Sequence, residues 1–310
     1  MERKVISQGN DTLTITLPRE WTRKYSIKAG DSLKFNIKNE GLEIRCKGAS
    51  LEEPVELFIG FTNQKLIKWT LGALYRMGFE EIRLGYPNSA IFSLIQKLIK
   101  DTFVGFIITR QEKNLCVIKS MTTDESKNFP ALMRRSFLVA LSLAENCYET
   151  LKNNKFSKLH DILYLHDNTD QLIRLCQRLI IKNSYADIVN ASVNMALLEN
   201  LELVCDDYRD LCKFIHKKNR SFKSHDKLIS LLHNVNKIFD KSAHLVFSYK
   251  EEDILSLILE INENNAKIES LYSNKDNDQT IFLFYLKSIS DLIRNFLPTI
   301  ILEHTSNLKK

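Results

Sequence analysis

Two hydrophobic periods divide this chain. Over residues 1–48 apolar positions recur every second residue: Leu13, Ile15 and Leu17 alternate with Thr14 and Thr16, and Leu33, Phe35 and Ile37 alternate with Lys34 and Asn36. Period two with β-branched residues is the pattern of a half-buried strand. Strands are therefore predicted at Val5–Ser7, Leu13–Leu17, Ser32–Ile37 and Leu42–Lys47. Gln8-Gly9-Asn10-Asp11, Lys28-Ala29-Gly30-Asp31 and Asn39-Glu40-Gly41 supply turn residues between elements. Pro18 ends the second strand and suits the first position of a helix over Arg19–Tyr25. The order is ββ, a short helix, then ββ. So small a unit buries little apolar surface alone, which predicts that it oligomerises.

Residues 51–121 mix the two periods. Leu66, Ile67, Thr70, Leu71 and Leu74 form a stripe on a helix over Asn63–Met77, with Gly78 at its end. Glu81–Gly85 reads as a strand, Ser89–Thr102 as a helix, and Val104–Thr109 and Leu115–Ser120 as strands. From residue 124 onward the spacing is three and four. Helices are predicted near 125–152, 155–182, 185–219, 225–247, 250–272 and 278–303, with polar links such as Lys152-Asn153-Asn154 and Asn274-Lys275-Asp276-Asn277. Six such helices make a bundle, or two three-helix bundles side by side. The expected fold class is α+β, mainly α. It comprises a β module at 1–48, a small α/β layer at 51–121 to which the sequence assigns no role, and a helical bundle at 124–310.

Composition narrows the function classes. With 44% apolar and 26% charged residues the chain reads as folded rather than disordered. Its net charge is +6, and residues 1–48 hold ten Lys/Arg against six Asp/Glu, so most of the excess sits in the first module. A compact basic module is an electrostatic footprint for an acidic partner, nucleic acid first. There is no run of 18 apolar residues, so no membrane span is expected. The opening MERKVISQGND has no apolar signal core, which places the expected location in the cytoplasm. Cys46, Cys116, Cys147, Cys176, Cys205 and Cys212 are scattered without a CxxC pair and read as buried thiols, not zinc ligands or disulfides.

The sequence contains no GxGxxG, P-loop, GxSxG or HExxH pattern, and no enzyme is expected. His160 and His166 are six apart and fall off a common helix face. His216, His225, His233 and His244 read as solvated or capping side chains. Lys213, His216, Lys217, Lys218, Arg220 and Lys223 form a second basic run that complements a helix C-terminus.

The N-terminal stretch resembles the SpoVT-AbrB/MazE swapped-hairpin family. Arg3-Lys4-Val5, the run from Leu13 through Pro18 to Trp21, and Ile27-Lys28-Ala29-Gly30-Asp31 carry the likeness over about 45 residues. It implies an intertwined homodimer that binds double-stranded DNA. By position it assigns DNA contact to Arg3 and Arg23, with Lys4, Arg19 and Lys24 as neighbours. Lys and Arg neutralise phosphates, and Arg can read guanine edges. Many DNA-binding members carry an Arg where this chain has Thr14.

Residues 125–305 resemble the PhoU family, and the order of pieces resembles archaeal proteins that join an AbrB-like N-terminus to a PhoU-like bundle. The residues are Met133-Arg134-Arg135, Leu165-His166-Asp167-Asn168-Thr169-Asp170-Gln171-Leu172-Ile173-Arg174, and Asn200-Leu201-Glu202-Leu203-Val204-Cys205-Asp206-Asp207-Tyr208. The resemblance implies a divalent or trivalent metal ion (Mg, Mn, Fe or Zn) on Asp167, Asp170, Glu202 and Asp206. The i,i+4 pair Glu202/Asp206 shares a helix face, and clustered carboxylates suit such cations. His166 stands where an acidic residue is usual, with Asp167 as its expected substitute. In the second half Lys287 replaces the Glu of the pattern ending at Asp291, Glu260 and Glu263 remain on the preceding helix, and Ala266 takes an acidic place. Lys287 is expected to neutralise acidic neighbours.

These readings converge on a homodimeric transcriptional regulator linked to phosphate or metal homeostasis, with the bundle as sensor. The alternative is a PhoU-type adaptor that regulates phosphate transport or signalling by protein–protein contact without DNA binding, with a phosphate-transport or sensor-kinase component as partner.

Overall fold

The computed structural model describes residues 2–9, 12–38, 41–46, 54–121, 128–155, 158–183, 188–218, 226–272 and 277–307. Parts of several predicted features lie outside these: Asn10-Asp11, Asn39-Glu40, Lys47, Asn274–Asp276, His225, and Arg220 and Lys223 of the basic run; the side chains of Cys46 and His160 are also outside them. The chain divides into two compact units, residues 1–54 and 55–310.

In the first unit β1 (Ile6–Ser7) pairs antiparallel with β2 (Leu13–Thr14), and β3 (Leu33–Lys38) with β4 (Gly41–Cys46). The helix α1 (Arg19–Lys24) lies between the two ribbons in sequence. Pro18 caps it with extended backbone, and the turn after it closes on Asp31, whose carboxylate accepts the Lys28 N–H at 2.7 Å. Gly30 sits at φ 95°, where L side chains are strained. β2 is shorter than the alternation predicts, because its one described partner strand is two residues long. Among the described residues of this unit none is buried. α1 buries no residue, and Val5, Ile6, Leu13, Ile15, Phe35, Ile37 and Leu42 are all exposed, Ile37 at 88%. Two-stranded ribbons are marginal by themselves.

The second unit begins with β5 (Val55–Phe58), which the hydrophobic pattern did not reveal. α2 (Gln64–Arg76), β6 (Glu81–Gly85), α3 (Ser89–Thr102), β7 (Phe106–Gln111) and β8 (Leu115–Ser120) follow. The sheet order is β5-β6-β8-β7, with β5 and β6 parallel and the rest antiparallel. Asn63 and Asn88 cap the helices, accepting the Leu66 and Ile91 N–H groups at 3.0 Å. Ile67, Leu71, Tyr75, Ile91, Ile95 and Ile99 cover one sheet face at Ile59, Ile82, Leu84, Cys116 and Ile118. The opposite face is an open concavity bearing Glu56, Phe58, Arg83 and Lys119.

The bundle has seven helices among the described residues: α4 (Phe129–Lys152), α5 (Leu159–Asn183), α6 (Ile188–Lys218), α7 (Asp226–Phe247), α8 (Glu251–Ser270), α9 (Asn277–Arg294) and α10 (Phe296–Asn307). The predicted last helix breaks at Asn295 into α9 and α10. α6 is long and apolar enough to cross a membrane by length and composition; its Leu197, Leu201, Val204, Tyr208 and Leu211 are buried in the bundle core.

The α/β layer and bundle belong to one unit, and α5 joins them. Arg178, 1% exposed, donates to the Tyr75 carbonyl at 2.7 Å and the Phe79 carbonyl at 2.9 Å. Its guanidinium also stands over the Tyr75 and Phe106 rings. Lys182 pairs with Glu80, and Gln171 donates to the Asp101 carbonyl at 2.7 Å. α5 therefore has protein on several sides, with α4, α6 and α2 packed against it, which is why polar side chains along it are buried.

Candidate metal centre

On α5, residues four apart share a stripe, so His166, Asp170 and Arg174 lie above one another. On α6 the same rule aligns Glu202 with Asp206, and Arg209 follows three residues on. The two stripes face each other. His166 Nε2 is 2.8 Å from Asp206 Oδ1 and 3.7 Å from Asp170 Oδ1. The three donor atoms all lie within 4.8 Å of one another. Metal–ligand bonds of about 2.0–2.2 Å place adjacent donors roughly 3 Å apart, so the spacing is of the right size for one ion.

Charge balance inside the cluster is incomplete. Asp170 is 6% exposed; its Oδ2 accepts from Arg174 at 2.9 Å, while its buried Oδ1 has no hydrogen-bond partner. A buried carboxylate oxygen left unpaired is costly, and here it faces His166 and Asp206. Arg174 also approaches Glu202 at 3.6 Å. Arg209 Nη1 contacts Asp206 Oδ1 and stands 3.2 Å from His166 Nε2. That nitrogen cannot donate to Asp206 and accept from Arg209 at once. A cation facing a neutral Nε2 removes the conflict. One imidazole and two carboxylates suit Mn²⁺, Fe²⁺ or Zn²⁺.

Electrostatics follow the geometry. Burial, with the Asp170 charge adding to it, pushes the Glu202 carboxyl above its ordinary range. Burial also acts to raise Asp206, but the His166 hydrogen bond and the Arg209 charge outweigh it and hold Asp206 low. The Cys205 thiol, between Glu202 and Asp206 in sequence, is pushed well up by burial and then by the Asp170 and Asp206 charges, so it stays a thiol and no thiolate ligand is at hand.

Of the four carboxylates expected to bind metal, Asp170 and Asp206 meet in the cluster and Glu202 sits at its edge against Arg174. Asp167 does not join them. One residue turns a helix by about 100°, and the Asp167 side chain is 71% exposed, touching His166 only at Nδ1 across 3.6 Å. His166, 3% exposed, takes the place assigned to Asp167. From the sequence His166 stands where an acidic residue is usual, with Asp167 as the expected substitute; its four-residue spacing from Asp170 was the signal that it, not Asp167, faces Asp170 and Asp206. In the second half Lys287 bonds Asp291 at 2.6 Å and lies 3.5 Å from Glu269, and Asp291 also pairs with Arg294 and Asn265. Those acids are satisfied internally, as the Lys at that position leads one to expect.

The residues expected to touch DNA are placed separately. Arg3 and Lys4 precede β1, while Arg19, Arg23 and Lys24 stand on α1; all five are exposed. Arg19 and Arg23, four apart, share a face of α1. Among the described residues no ion pair engages Lys4, Arg19, Arg23 or Lys24, and Lys24 lies over the Tyr25 ring at 5.3 Å.

No protein-family model matches the sequence, and no curated protein matches it. Among solved structures, the chain is similar to the crystal structure of the phosphate transport system regulatory protein PhoU from Streptococcus pneumoniae, at 13% identity and a TM-score of 0.44. The match covers 58% of this chain and 96% of that one.

Proposed function

We propose that the protein is a regulator that acts by contact with macromolecular partners, and that the His166–Asp170–Asp206 cluster is the cation-binding sensor of its bundle. The observation that carries this reading is the buried, unpartnered Asp170 Oδ1, turned toward two further donors of the right spacing. An ion bound there supplies positive charge that ties α5 to α6. Because α5 also holds the α/β layer through Arg178 and Lys182, ion binding bears on the helix that joins the two parts of this unit.

The link to phosphate transport comes from the sequence likeness of Leu165–Arg174 and Asn200–Tyr208 to PhoU helices, and with it the partner is the ATPase component of a phosphate transporter or a sensor kinase. The full-length protein, immobilised, is titrated with the purified transporter ATPase with and without Mn²⁺. Binding that depends on Mn²⁺ and is lost in Asp170→Asn supports the adaptor. Mn²⁺ uptake without partner binding under either condition counts against it.

A second reading, DNA binding by the first unit, is favoured by one observation: Arg19, Arg23 and Lys24 stand exposed and without acidic partners among the described residues. The exposed apolar residues of the same unit, Val5, Ile6, Leu13 and Ile37, are those a second copy would cover in a homodimer. Fluorescence anisotropy against upstream and random duplexes, at two salt concentrations, tests it. Sequence-preferring binding with a steep salt dependence, abolished by Arg23→Ala/Lys24→Ala, establishes it. Equal weak binding to both duplexes removes it.

A further inference from the structure

The cluster already contains a cation of its own. Arg209 Nε donates to Asp210 Oδ1 at 2.8 Å and Nη2 to Asp210 Oδ2 at 2.9 Å, a bidentate fork. That fork fixes the guanidinium plane and leaves Nη1 turned toward the cluster. There Nη1 meets Asp206 Oδ1 and stands 3.2 Å from His166 Nε2. These are two of the three donor atoms that the candidate ion uses. A guanidinium nitrogen in contact with both competes with an ion for the same two donor atoms.

We propose that Arg209 is an internal gate on the cation site: it neutralises the donors when no ion is bound, and a divalent cation has to displace it to bind. This rests on the cation reading above and adds to it which residue sets the affinity. Three features of the geometry fit a gate better than a permanent salt bridge. First, Arg209 satisfies only two of the three donors and leaves Asp170 Oδ1 unpartnered, so an ion offers the cluster something the guanidinium does not. Second, the Asp210 fork gives the guanidinium a carboxylate partner outside the cluster, so the rigid group can swing away together with Asp210 without stranding its charge. Third, the Arg209 and Asp206 side chains are 23% and 37% exposed, which gives the displaced arm a way out, whereas Asp170 at 8% is fixed inside.

Arg174 does not play this part. It bonds Asp170 at Oδ2, the oxygen turned away from the donor triad, and reaches Glu202. It holds Asp170 in position from behind and remains in place with or without an ion. The consequence is selectivity by charge: a monovalent ion gains little by replacing a guanidinium, whereas a divalent ion doubles the positive charge against two carboxylates in a half-buried site.

Isothermal titration of the full-length protein with Mn²⁺ decides the question, with wild type, Arg209→Met, Arg209→Lys and Asp170→Asn compared after circular dichroism confirms that each is folded. The gate predicts that Arg209→Met binds Mn²⁺ at least tenfold more tightly than wild type, that Arg209→Lys falls between them, and that Asp170→Asn loses binding. If Arg209→Met does not fold, the order of Arg209→Lys and wild type decides instead. Equal or weaker Mn²⁺ affinity in the Arg209 variants, with wild-type binding intact, overturns the gate alone. Absence of Mn²⁺ binding in wild type and variants overturns the cation reading, and the gate with it.

Discussion

At the scale of single residues the molecule is most informative where polar groups are buried. Arg178 is the largest of them, and its value lies in the two carbonyls it satisfies. Arg178→Met leaves both buried, at about 1–3 kcal/mol each, so urea unfolding should show a loss of that order, and Arg178→Lys a smaller one. Glu303 shows the opposite case. Burial raises its carboxyl above the ordinary range, so the folded state carries a penalty for the charged form that is present at neutral pH and relieved as pH falls through the raised folded value. Glu303→Gln is therefore expected to raise the thermal midpoint at pH 7.5 and to leave it unchanged near pH 4; an equal gain at both would contradict this cause. The same scale marks where sequence reading stopped. Asp170 and Asp206 were expected from the likeness of their segments to PhoU helices, Asp206 also from its four-residue spacing to Glu202. His166 was not, because its role depends on α6 lying opposite, a contact that spacing within α5 does not encode. Arg209 escaped for the same reason: next to Asp210 it reads as an ordinary surface pair.

At the scale of elements the hydrophobic periods were legible wherever an element buries one face. The α2 and α3 stripes follow directly from them. β5 was missed because four residues give too little alternation and its pairing with β6 is between strands far apart in sequence. The break at Asn295 was missed because apolar spacing runs on through α9 and α10. Asn63 and Asn88 start α2 and α3 with side-chain caps, so Asn63→Ala and Asn88→Ala should each cost about 1 kcal/mol, read as a shift in the urea midpoint with unchanged slope. A changed slope would mean that the cap acts on more than its helix end.

At the scale of the whole molecule, the two units differ in how complete they are. Residues 55–310 bury a continuous apolar core in the bundle and a second one under the sheet. Among the described residues of 1–54, Val5, Ile6, Leu13 and Ile37 are exposed, and the homodimer proposed above would cover them. Sedimentation equilibrium of the full-length protein should then give a dimer, and Leu13→Asp/Ile37→Asp a monomer with the bundle's helical signal retained; a wild-type monomer would leave the exposed face without that explanation. The swapped-hairpin resemblance and the basic residues of α1 make the same unit the candidate for DNA, while the bundle holds the cation cluster and the charged groups that respond to it.

The cation proposed for the bundle would enter between α5 and α6. Crystals of the protein soaked in Mn²⁺ and measured at a wavelength with strong manganese anomalous scattering test it most directly. One anomalous peak is expected about 2.0–2.2 Å from His166 Nε2, Asp170 Oδ1 and Asp206 Oδ1, with the Arg209 guanidinium swung away from Asp206. A map with no peak there, Arg209 still on Asp206, would contradict it.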